Sequence, residues 1–286
     1  MKTIKYFFEF IIIKFFFFIF KIFGYKISST IGEFLGKSFG PIFRSNNKIL
    51  NNLEKSNVGS SNHERNKMIS NMWGNYGRIL SEYIFLNKFK NGELNDHIKI
   101  NGLNNLDKII KEKKPVVFIS GHFNNFELMA MQIENYGVKV AAIYRPLNNF
   151  FLNGTMETIR KEYICKNQIK KGRSGTRKIL DEIKKGNSIA LMIDQRVSEG
   201  GSTKLFGRNC LTTTIPAQLV KKYHCEVVPI YIERFNKNYF KMNVEKPLIF
   251  KKNTSLEDIT LKLNEKLELM VLKNPDQWIW SHDRWK

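Results

Sequence analysis

The chain has 286 residues, enough for one large α/β domain with a hydrophobic core and a short additional segment, and few for two full domains. It carries 47 Lys and Arg against 26 Asp and Glu, and the net charge of +21 favours acidic partners such as nucleic acid, anionic lipid or an acidic carrier protein. Cys165, Cys210 and Cys225 form no CxxC motif, so their spacing indicates neither a disulfide framework nor a zinc site. We expect buried thiols, on the reducing, cytoplasmic side of a membrane.

The N-terminal segment is the most apolar part of the chain. Between residues 6 and 23 only Glu9, Lys14 and Lys21 interrupt a run of apolar side chains that approaches the length of one bilayer crossing. No small-residue cleavage site follows this run, so we predict an uncleaved membrane anchor over residues 1–23 rather than a signal peptide. A spanning and an interfacial helix are both open, because Glu9 and Lys14 would be costly at the bilayer centre unless they are paired.

The next part of the chain, residues 24–110, is predicted to be a mainly helical lead-in. Apolar residues recur at spacings of three and four in IGEFLGKSFGPIF and again in MISNMWGNYGRILSEYIFL. The loop sequence SNVGSSNHERN separates these two helical segments. We expect the lead-in to belong to the same domain as the remaining residues, so that one domain covers 24–286.

Residues 111–286 are predicted to form an α/β core. Short apolar, β-branched runs are typical of buried strands, and four occur here: PVVFIS, KVAAIY, SIALMID and EVVPIYIE. Longer amphipathic segments, GTRKILDEIKKG and TLKLNEKLELMVL, lie between or after them. This alternation predicts a mixed, mostly parallel sheet with helices on both faces.

One local motif, SGHFNNFELMA, stands where the strand VVFIS ends and a helix begins. On an unbroken helix His122 and Glu127 would point about 140° apart, so His122 must lie in the turn, with Asn124 or Asn125 as the helix N-cap. A carboxylate could then hold the imidazole in one tautomer while its other nitrogen takes a proton from a hydroxyl. With five histidines and 26 acidic residues the spacing also arises by chance, and an ordinary polar turn is the alternative.

Several motifs together resemble one known family. GHFNNFE, YRP, IDQ, LFG, VVPIY and the terminal PDQWIWSHDRWK occur in the order found in the lipid A biosynthesis acyltransferases of Gram-negative bacteria, of the Kdo2-lipid A lauroyl and myristoyl acyltransferase type. That family is a branch of the lysophospholipid acyltransferase superfamily, and the resemblance covers nearly the whole chain. Glu127 is the acidic residue typical of the lipid A branch, which carries an HX4E motif. Phe126 stands where family members commonly have Trp, a difference that affects packing more than chemistry.

The resemblance implies a catalytic group of three residues. His122 would deprotonate a hydroxyl of the acceptor, which attacks an acyl thioester, while Glu127 orients His122 and stabilises its charged form. Backbone amides at the start of the helix, or a nearby guanidinium, would stabilise the oxyanion. By similarity Arg160 lies close to the pair, although composition alone would make it a surface arginine.

The resemblance also implies substrate-binding residues, namely Arg145, Asp194 and Gln195. Asp194 is expected near the acceptor or as a structural partner of Arg160; without the family, Asp194 and Gln195 would merely begin a turn. The terminal tryptophans and His282 are predicted to dock the C-terminus rather than to take part in the chemistry. The basic run KKGRSGTRK is predicted to be a solvated face, with phosphate or carrier-protein contact as the second interpretation.

The function implied by the resemblance is transfer of a secondary fatty acyl chain to a hydroxyl of a lipid A precursor, in lipopolysaccharide biosynthesis. Acyl-carrier protein would be the donor, and the phosphorylated precursor and membrane lipid would be the other partners. The enzyme is expected on the cytoplasmic face of the inner membrane, anchored by its N-terminal segment. It would need no metal and no organic cofactor.

Three alternatives stay open at this point. An acyltransferase of the same superfamily acting on a lysophospholipid or another glycolipid would share the catalytic pair. A nucleic-acid-binding protein would suit the charge, but the sequence has no zinc finger, GXXG loop or aromatic RNP pattern, so we expect no nucleic acid. A catalytically inactive scaffold is the third, and the presence of both His122 and Glu127 argues against it.

Overall fold

The computed structural model describes residues 2–286 of the chain. Its strands over this range are β1 Ile98–Asn101, β2 Val117–Ser120, β3 Val140–Tyr144, β4 Asn167–Lys170, β5 Ser188–Met192, β6 Gly201–Leu205, β7 Arg208–Thr212, β8 Val227–Phe235 and β9 Tyr239–Val244. Its α-helices are α1 Lys2–Phe43, α2 Asn46–Lys55, α3 Asn62–Glu82, α4 Leu86–Lys90, α5 Leu103–Glu112, α6 Glu127–Asn135, α7 Phe150–Ile159, α8 Arg173–Lys184, α9 Ile215–Tyr223 and α10 Leu256–Lys273. A π-helical turn, Arg160–Ile164, continues α7, and short 3-10 turns occur at Tyr83–Phe85, Asn95–His97 and Pro275–Gln277.

The main sheet has seven strands in the order β1-β9-β8-β2-β5-β3-β4. Every neighbouring pair is parallel except β8 and β9, which are antiparallel. Parallel neighbours need crossover connections, and helices supply them along the chain. The predicted α/β class with a mixed, mostly parallel sheet is confirmed.

The four strands predicted from apolar runs are β2, β3, β5 and β8. They occupy the centre of the sheet, where a strand is covered on both sides and a continuous apolar sequence is favourable. Three strands of the sheet were not predicted, because β1, β4 and β9 carry polar residues and lie toward its edges. Strand β1 falls inside the segment predicted as the helical lead-in, and its strand geometry depends on pairing with β9.

Helix α1 has two halves separated by a kink at Gly24, whose φ of 73° is left-handed and interrupts the helix. The second half crosses α3 at very close range, since a Cβ on Gly77 would lie 1.8 Å from the carbonyl oxygen of Gly32. The first half contains the predicted anchor. None of the helices in the described range 2–286 has an apolar stretch long enough to cross a membrane.

The C-terminal segment after α10 docks into the core, as predicted. Trp278 and Trp280 are buried, and the indole of Trp280 donates to the carbonyl of Pro275 at 2.6 Å. Arg284 is buried as well, and its guanidinium donates to Leu211 O and Thr212 Oγ1. These contacts hold the last residues of the chain against β7, and Arg196 of the loop after β5 donates to the Lys286 carbonyl at 3.1 Å.

The three cysteines are buried, as their spacing indicated. Burial raises the pKa of Cys165 to about 12 and that of Cys225 to about 11. Both thiols therefore stay protonated and act as small apolar side chains.

Candidate active site

The turn that carries His122 connects β2 to α6, and Glu127 is the first residue of the helix. The predicted N-cap role of Asn124 and Asn125 is wrong, because the residue before α6 is Phe126, which makes no side-chain cap bond. Asn124 instead has a left-handed φ of 43°, and its amide contacts the side chain of Gln277. His122 lies in the turn itself, as predicted, before the first residue of α6.

The turn is held from behind by a buried polar network around Glu82. This carboxylate is fully buried and accepts hydrogen bonds from Arg234 at 2.6 and 3.0 Å and from Asn125 at 3.1 Å. Ser29 of α1 donates a further bond at 2.7 Å. Charged hydrogen bonds in such surroundings are geometrically restrictive, so the network fixes the turn relative to α1, α3 and β8.

His122 is paired with Asp194. The imidazole Nδ1 lies 2.8 Å from Asp194 Oδ1, and the backbone N–H of His122 donates to Oδ2 at 2.6 Å. Strand register explains the pairing: Ser120 of β2 is level with Met192 of β5, and His122 and Asp194 are each two residues further along. The Trp278 indole donates to the same carboxylate at 2.9 Å, so Asp194 is buried and fully bonded.

This pairing sets the protonation of both groups. Burial by itself would lower the pKa of His122, but the charge and hydrogen bond of Asp194, together with the charge of Glu127, raise it above its ordinary value. Burial would likewise raise the pKa of Asp194, whereas His122 and the Trp278 hydrogen bond hold it below its usual range. Asp194 is thus an ionised acceptor, which places the proton of neutral His122 on Nδ1 and leaves Nε2 as the basic atom.

The structure corrects the partner predicted for the imidazole. Glu127 accepts hydrogen bonds from Arg160 Nε and Nη2 at 3.0 and 2.8 Å and from the Tyr83 hydroxyl at 2.9 Å, and none from His122 among the described residues. The imidazole was expected to bond to Glu127 and bonds to Asp194 instead. Arg160 was expected to have Asp194 as a structural partner and bonds to Glu127 instead. The reason is that Glu127 starts a helix whose first residue faces Tyr83 of the 3-10 turn and Arg160 of the π-helical turn rather than the strand ends.

These groups share one cleft of about 440 Å³. Five of the six predicted site residues line it, namely His122, Glu127, Arg145, Arg160 and Gln195. The sixth, Asp194, is buried behind His122. Arg145 is exposed at the mouth, whereas Glu127 is buried. No group of His, Cys, Asp and Glu side chains within residues 2–286 has an arrangement that could hold a metal ion.

Three residues of the site were missed from the sequence: Tyr83, Trp278 and His282. Tyr83 and Trp278 hold the two carboxylates, and His282 lines the cleft itself. Tyr83 follows α3 in a segment that reads as an ordinary apolar helix, so no local signal marks it. The C-terminal PDQWIWSHDRWK motif contains both of the others, but its tryptophans predict only a docked C-terminus.

We predict that Arg160→Lys lowers kcat/KM. The planar guanidinium gives two hydrogen bonds to Glu127 Oε1 and lies over the Tyr144 ring at 5.5 Å, and an ammonium cannot reproduce this geometry. Losing one charged hydrogen bond of about 1.5–3 kcal/mol corresponds to roughly a tenfold to hundredfold effect. Steady-state kinetics would be compared with the exposed control Arg177→Lys, and equal activity of the two variants would contradict the role of Arg160.

Comparison with known proteins agrees with the motifs. The model of the family described as bacterial lipid A biosynthesis acyltransferase matches residues 1–286. The lipid A biosynthesis palmitoleoyltransferase of Escherichia coli K12 and a lipid A biosynthesis acyltransferase of Shigella flexneri are each 22% identical over 267 residues, covering 92% of this chain and 86% of the relative. The crystal structure of the 1-acyl-sn-glycerophosphate acyltransferase PlsC from Thermotoga maritima superposes with a TM-score of 0.43 and 12% identity, over 89% of this chain and 99% of that one. With the family model matching from the first residue to the last, this chain belongs to the bacterial lipid A biosynthesis acyltransferases.

Proposed function

We propose that this acyltransferase moves a secondary fatty acyl chain from acyl-carrier protein to a hydroxyl of a phosphorylated lipid A precursor, with His122 as the general base. The observation that carries the proposal is the bond from His122 Nδ1 to the buried Asp194 carboxylate in the wall of the cleft. It leaves Nε2 without a partner among the described residues, and this is the atom that can take a proton. Glu127 and Arg160 would complete the group.

The proposed reaction is direct transfer. The acceptor hydroxyl gives its proton to His122 Nε2, and its oxygen bonds to the thioester carbonyl carbon, whose oxygen takes the negative charge. The carbon–sulfur bond then breaks, and the leaving thiolate recovers the proton from His122. Asp194 stabilises the intermediate imidazolium and keeps the ring in one orientation. No covalent acyl-enzyme is needed.

The cleft has an apolar part that suits an acyl chain. Its walls there are formed mainly by side chains of the sheet and of α6: Phe118, Met129, Ile133, Ala142, Ile164 and Ala190. Burying a methylene group of the chain against such a surface contributes about 0.8 kcal/mol. The apolar walls and the polar catalytic group lie in one cavity, as a reaction at the end of an acyl chain requires.

The mouth of the cleft carries positive charge that suits a phosphorylated acceptor. Arg145 and Lys171 both line it, and both are exposed. Partial burial and the charge of Arg145 lower the pKa of Lys171 against the opposing charge of Glu199, so the two cations lie close enough to repel each other. A phosphate group would relieve their repulsion. The overall charge of +21 favours an acidic carrier protein as the donor.

A competition assay tests both substrates. Purified full-length protein would receive acyl-carrier-protein thioester or acyl-coenzyme A, with an equimolar mixture of tetra-acylated, phosphorylated disaccharide precursor and lysophosphatidic acid, and products would be identified by mass spectrometry. We expect the acyl-carrier thioester and the disaccharide to be preferred, with rates that fall as salt screens both acidic partners. Product on the glycerol lipid alone would refute the proposed acceptor, and preference for the coenzyme A ester would refute the proposed donor.

We further propose that the first half of α1 holds the enzyme on the cytoplasmic face of the inner membrane. Six of its exposed apolar side chains recur at alternating spacings of four and three and so form one stripe, defined by Ile4, Phe8, Ile11, Phe15, Phe18 and Ile22. At 100° per residue, Lys14 and Lys21 border one side of this stripe and Lys5 the other. Apolar residues flanked by lysines are typical of helices that lie in a bilayer interface.

Of the two charges that make a membrane helix costly, Glu9 is turned toward protein, whereas Lys14 is exposed. Glu9 accepts a hydrogen bond from the Asn149 side chain at 3.0 Å, and Asn149 also donates to the carbonyl of Tyr6 at 2.8 Å. Phe7 and Phe10 pack against Phe151 of α7 in the same region. The six side chains of the stripe are exposed and therefore remain free to enter lipid.

We predict that changing Phe8, Phe15 and Phe18 together to Ser weakens binding to anionic phospholipid vesicles. Each Phe buried in lipid contributes about 1.5–3 kcal/mol, so the triple change should weaken binding by about a thousandfold or more. The thermal unfolding temperature should change little, because these side chains are exposed. The matched control changes three exposed apolar residues elsewhere, Ile249, Leu269 and Leu272, to Ser. Equal vesicle binding by the two triple variants would show that the stripe is not the anchor.

A further inference from the structure

His282 is a second imidazole in the same cleft. It lines the cavity together with His122, and it is close enough to Asp194 and His122 that their charges affect its pKa. The residue follows the buried tryptophans of the C-terminal segment, whose docking carries it into the wall of the site. Its backbone carbonyl lies within 3.4 Å of the Asn52 amide, so the segment is also held from the side of α2.

The contacts of His282 define its tautomer. Its Nε2 accepts a hydrogen bond from the backbone N–H of Arg196 at 3.0 Å, so the proton of the neutral ring is on Nδ1. Burial, with the nearby Arg284 and Arg44, lowers the pKa of His282 against the opposing effect of Asp194, so the ring is neutral near pH 7. Nδ1 has no hydrogen-bond partner among the described residues. It also does not belong to the unbonded side-chain atoms that are completely shielded from solvent. His282 therefore offers one free N–H donor.

The proposed reaction needs such a donor, because the backbone donors of the turn are largely occupied. The N–H groups of His122, Phe123, Asn124 and Phe126 donate to Asp194 Oδ2, Gly121 O, Gln277 O and Asn124 O respectively. The guanidinium of Arg160 directs Nε and Nη2 at Glu127, and its Nη1 is enclosed and unbonded. The two sources expected for oxyanion stabilisation thus have few free donors on the cleft surface.

We infer that His282 Nδ1–H donates a hydrogen bond to the carbonyl oxygen of the acyl thioester as that oxygen becomes negatively charged. The inference rests on the proposed function and adds a substrate-contacting residue to it. A neutral imidazole suits this role, since its N–H can donate a hydrogen bond while the ring keeps its proton. The bond from Arg196 N–H holds the ring in place. The proton stays on His282 throughout, so the proton balance of the transfer is unchanged.

Two substitutions separate this role from a structural one. The Asn amide reaches the position of Nδ1, two bonds from Cβ, whereas the Gln amide reaches the position of Nε2, three bonds from Cβ. His282→Gln can keep the bond to Arg196 and loses the donor, while His282→Asn keeps the donor and loses the bond to Arg196. We expect kcat of His282→Gln to fall about a hundredfold, the loss typical of one oxyanion donor, with KM for both substrates little changed. His282→Asn should retain at least ten times more activity than His282→Gln.

Several results would overturn the inference. A structural role predicts the reverse order, with Gln active and Asn impaired, and a role in binding alone predicts a change in KM without a change in kcat. The wild-type protein gives an independent readout: nitrogen NMR of the histidine ring should find the His282 proton on Nδ1, and a proton on Nε2 would exclude the proposed bond. The exposed His63→Ala variant is the control for general effects of histidine loss. If the wild-type protein is inactive with every donor and acceptor, the proposed function fails. If the wild-type protein is active, His122→Ala is inactive and His282→Gln is as active as wild type, the proposed function stands and only this inference fails.

Discussion

His122→Ala is expected to lower kcat by about a hundredfold to ten-thousandfold, the range typical of losing a general base. Without the imidazole, the acceptor hydroxyl loses its base, because Asp194 is buried behind the ring and Glu127 is engaged with Arg160. The second imidazole of the cleft, His282, cannot replace it, since its Nε2 accepts from Arg196 N–H and its Nδ1 carries the proton. Single-turnover kinetics with acyl-carrier thioester and disaccharide acceptor would measure the chemical step directly.

The fold should tolerate this change, since His122 lies in a turn and is partly exposed to the cleft. Thermal unfolding of the variant and of His63→Ala would be recorded with the kinetics, so that a loss of structure is distinguished from a loss of catalysis. Turnover close to wild type in a folded His122→Ala protein would remove His122 from the mechanism.

Asp194→Asn is expected to lower kcat by about ten-thousandfold, the effect that this change has in a His–Asp pair that orients a general base. The carboxylate accepts from His122 and from the Trp278 indole, and an amide can present its NH2 group to the imidazole instead. The ring would then carry its proton on Nε2, the atom that must act as the base. The predicted loss of activity is therefore caused by the wrong tautomer of His122 and not by the loss of a side chain.

The pH dependence of the same variant gives a second test. Asp194 raises the pKa of His122, so wild-type kcat/KM is full above that raised pKa and is lost as the pH falls through it. Asp194→Asn removes the charge and hydrogen bond that oppose burial most strongly and leaves the Glu127 charge to oppose it, so the pKa of His122 should fall and the acidic limb should move to lower pH. The exposed Asp181→Asn variant should leave the profile unchanged. An acidic limb that stays in place in Asp194→Asn would show that Asp194 does not set the protonation of His122.

Local sequence patterns predicted much of the fold. The central strands could be identified from continuous apolar runs, and α3, α8 and α10 from helical spacing, because both patterns reflect burial of the element itself. The turn at His122 was predicted so that the imidazole could meet Glu127, and the turn is present although Asp194 bonds to the imidazole instead. The short edge strands could not be identified, because four residues with polar members become a strand only when a neighbour pairs with them.

The arrangement of the site depends on strand order and segment docking, which leave no local pattern. His122 and Asp194 are 72 residues apart in the chain and meet because β2 lies beside β5 in parallel register. Glu127 is close to His122 in sequence, yet its helix turns it toward Arg160 and Tyr83. His282 reaches the cleft only because the tryptophans before it are buried. Residue types and family could be read from the chain, whereas the pairing of charges required the three-dimensional packing, because a hydrogen bond depends on distance and direction in space rather than on separation along the chain.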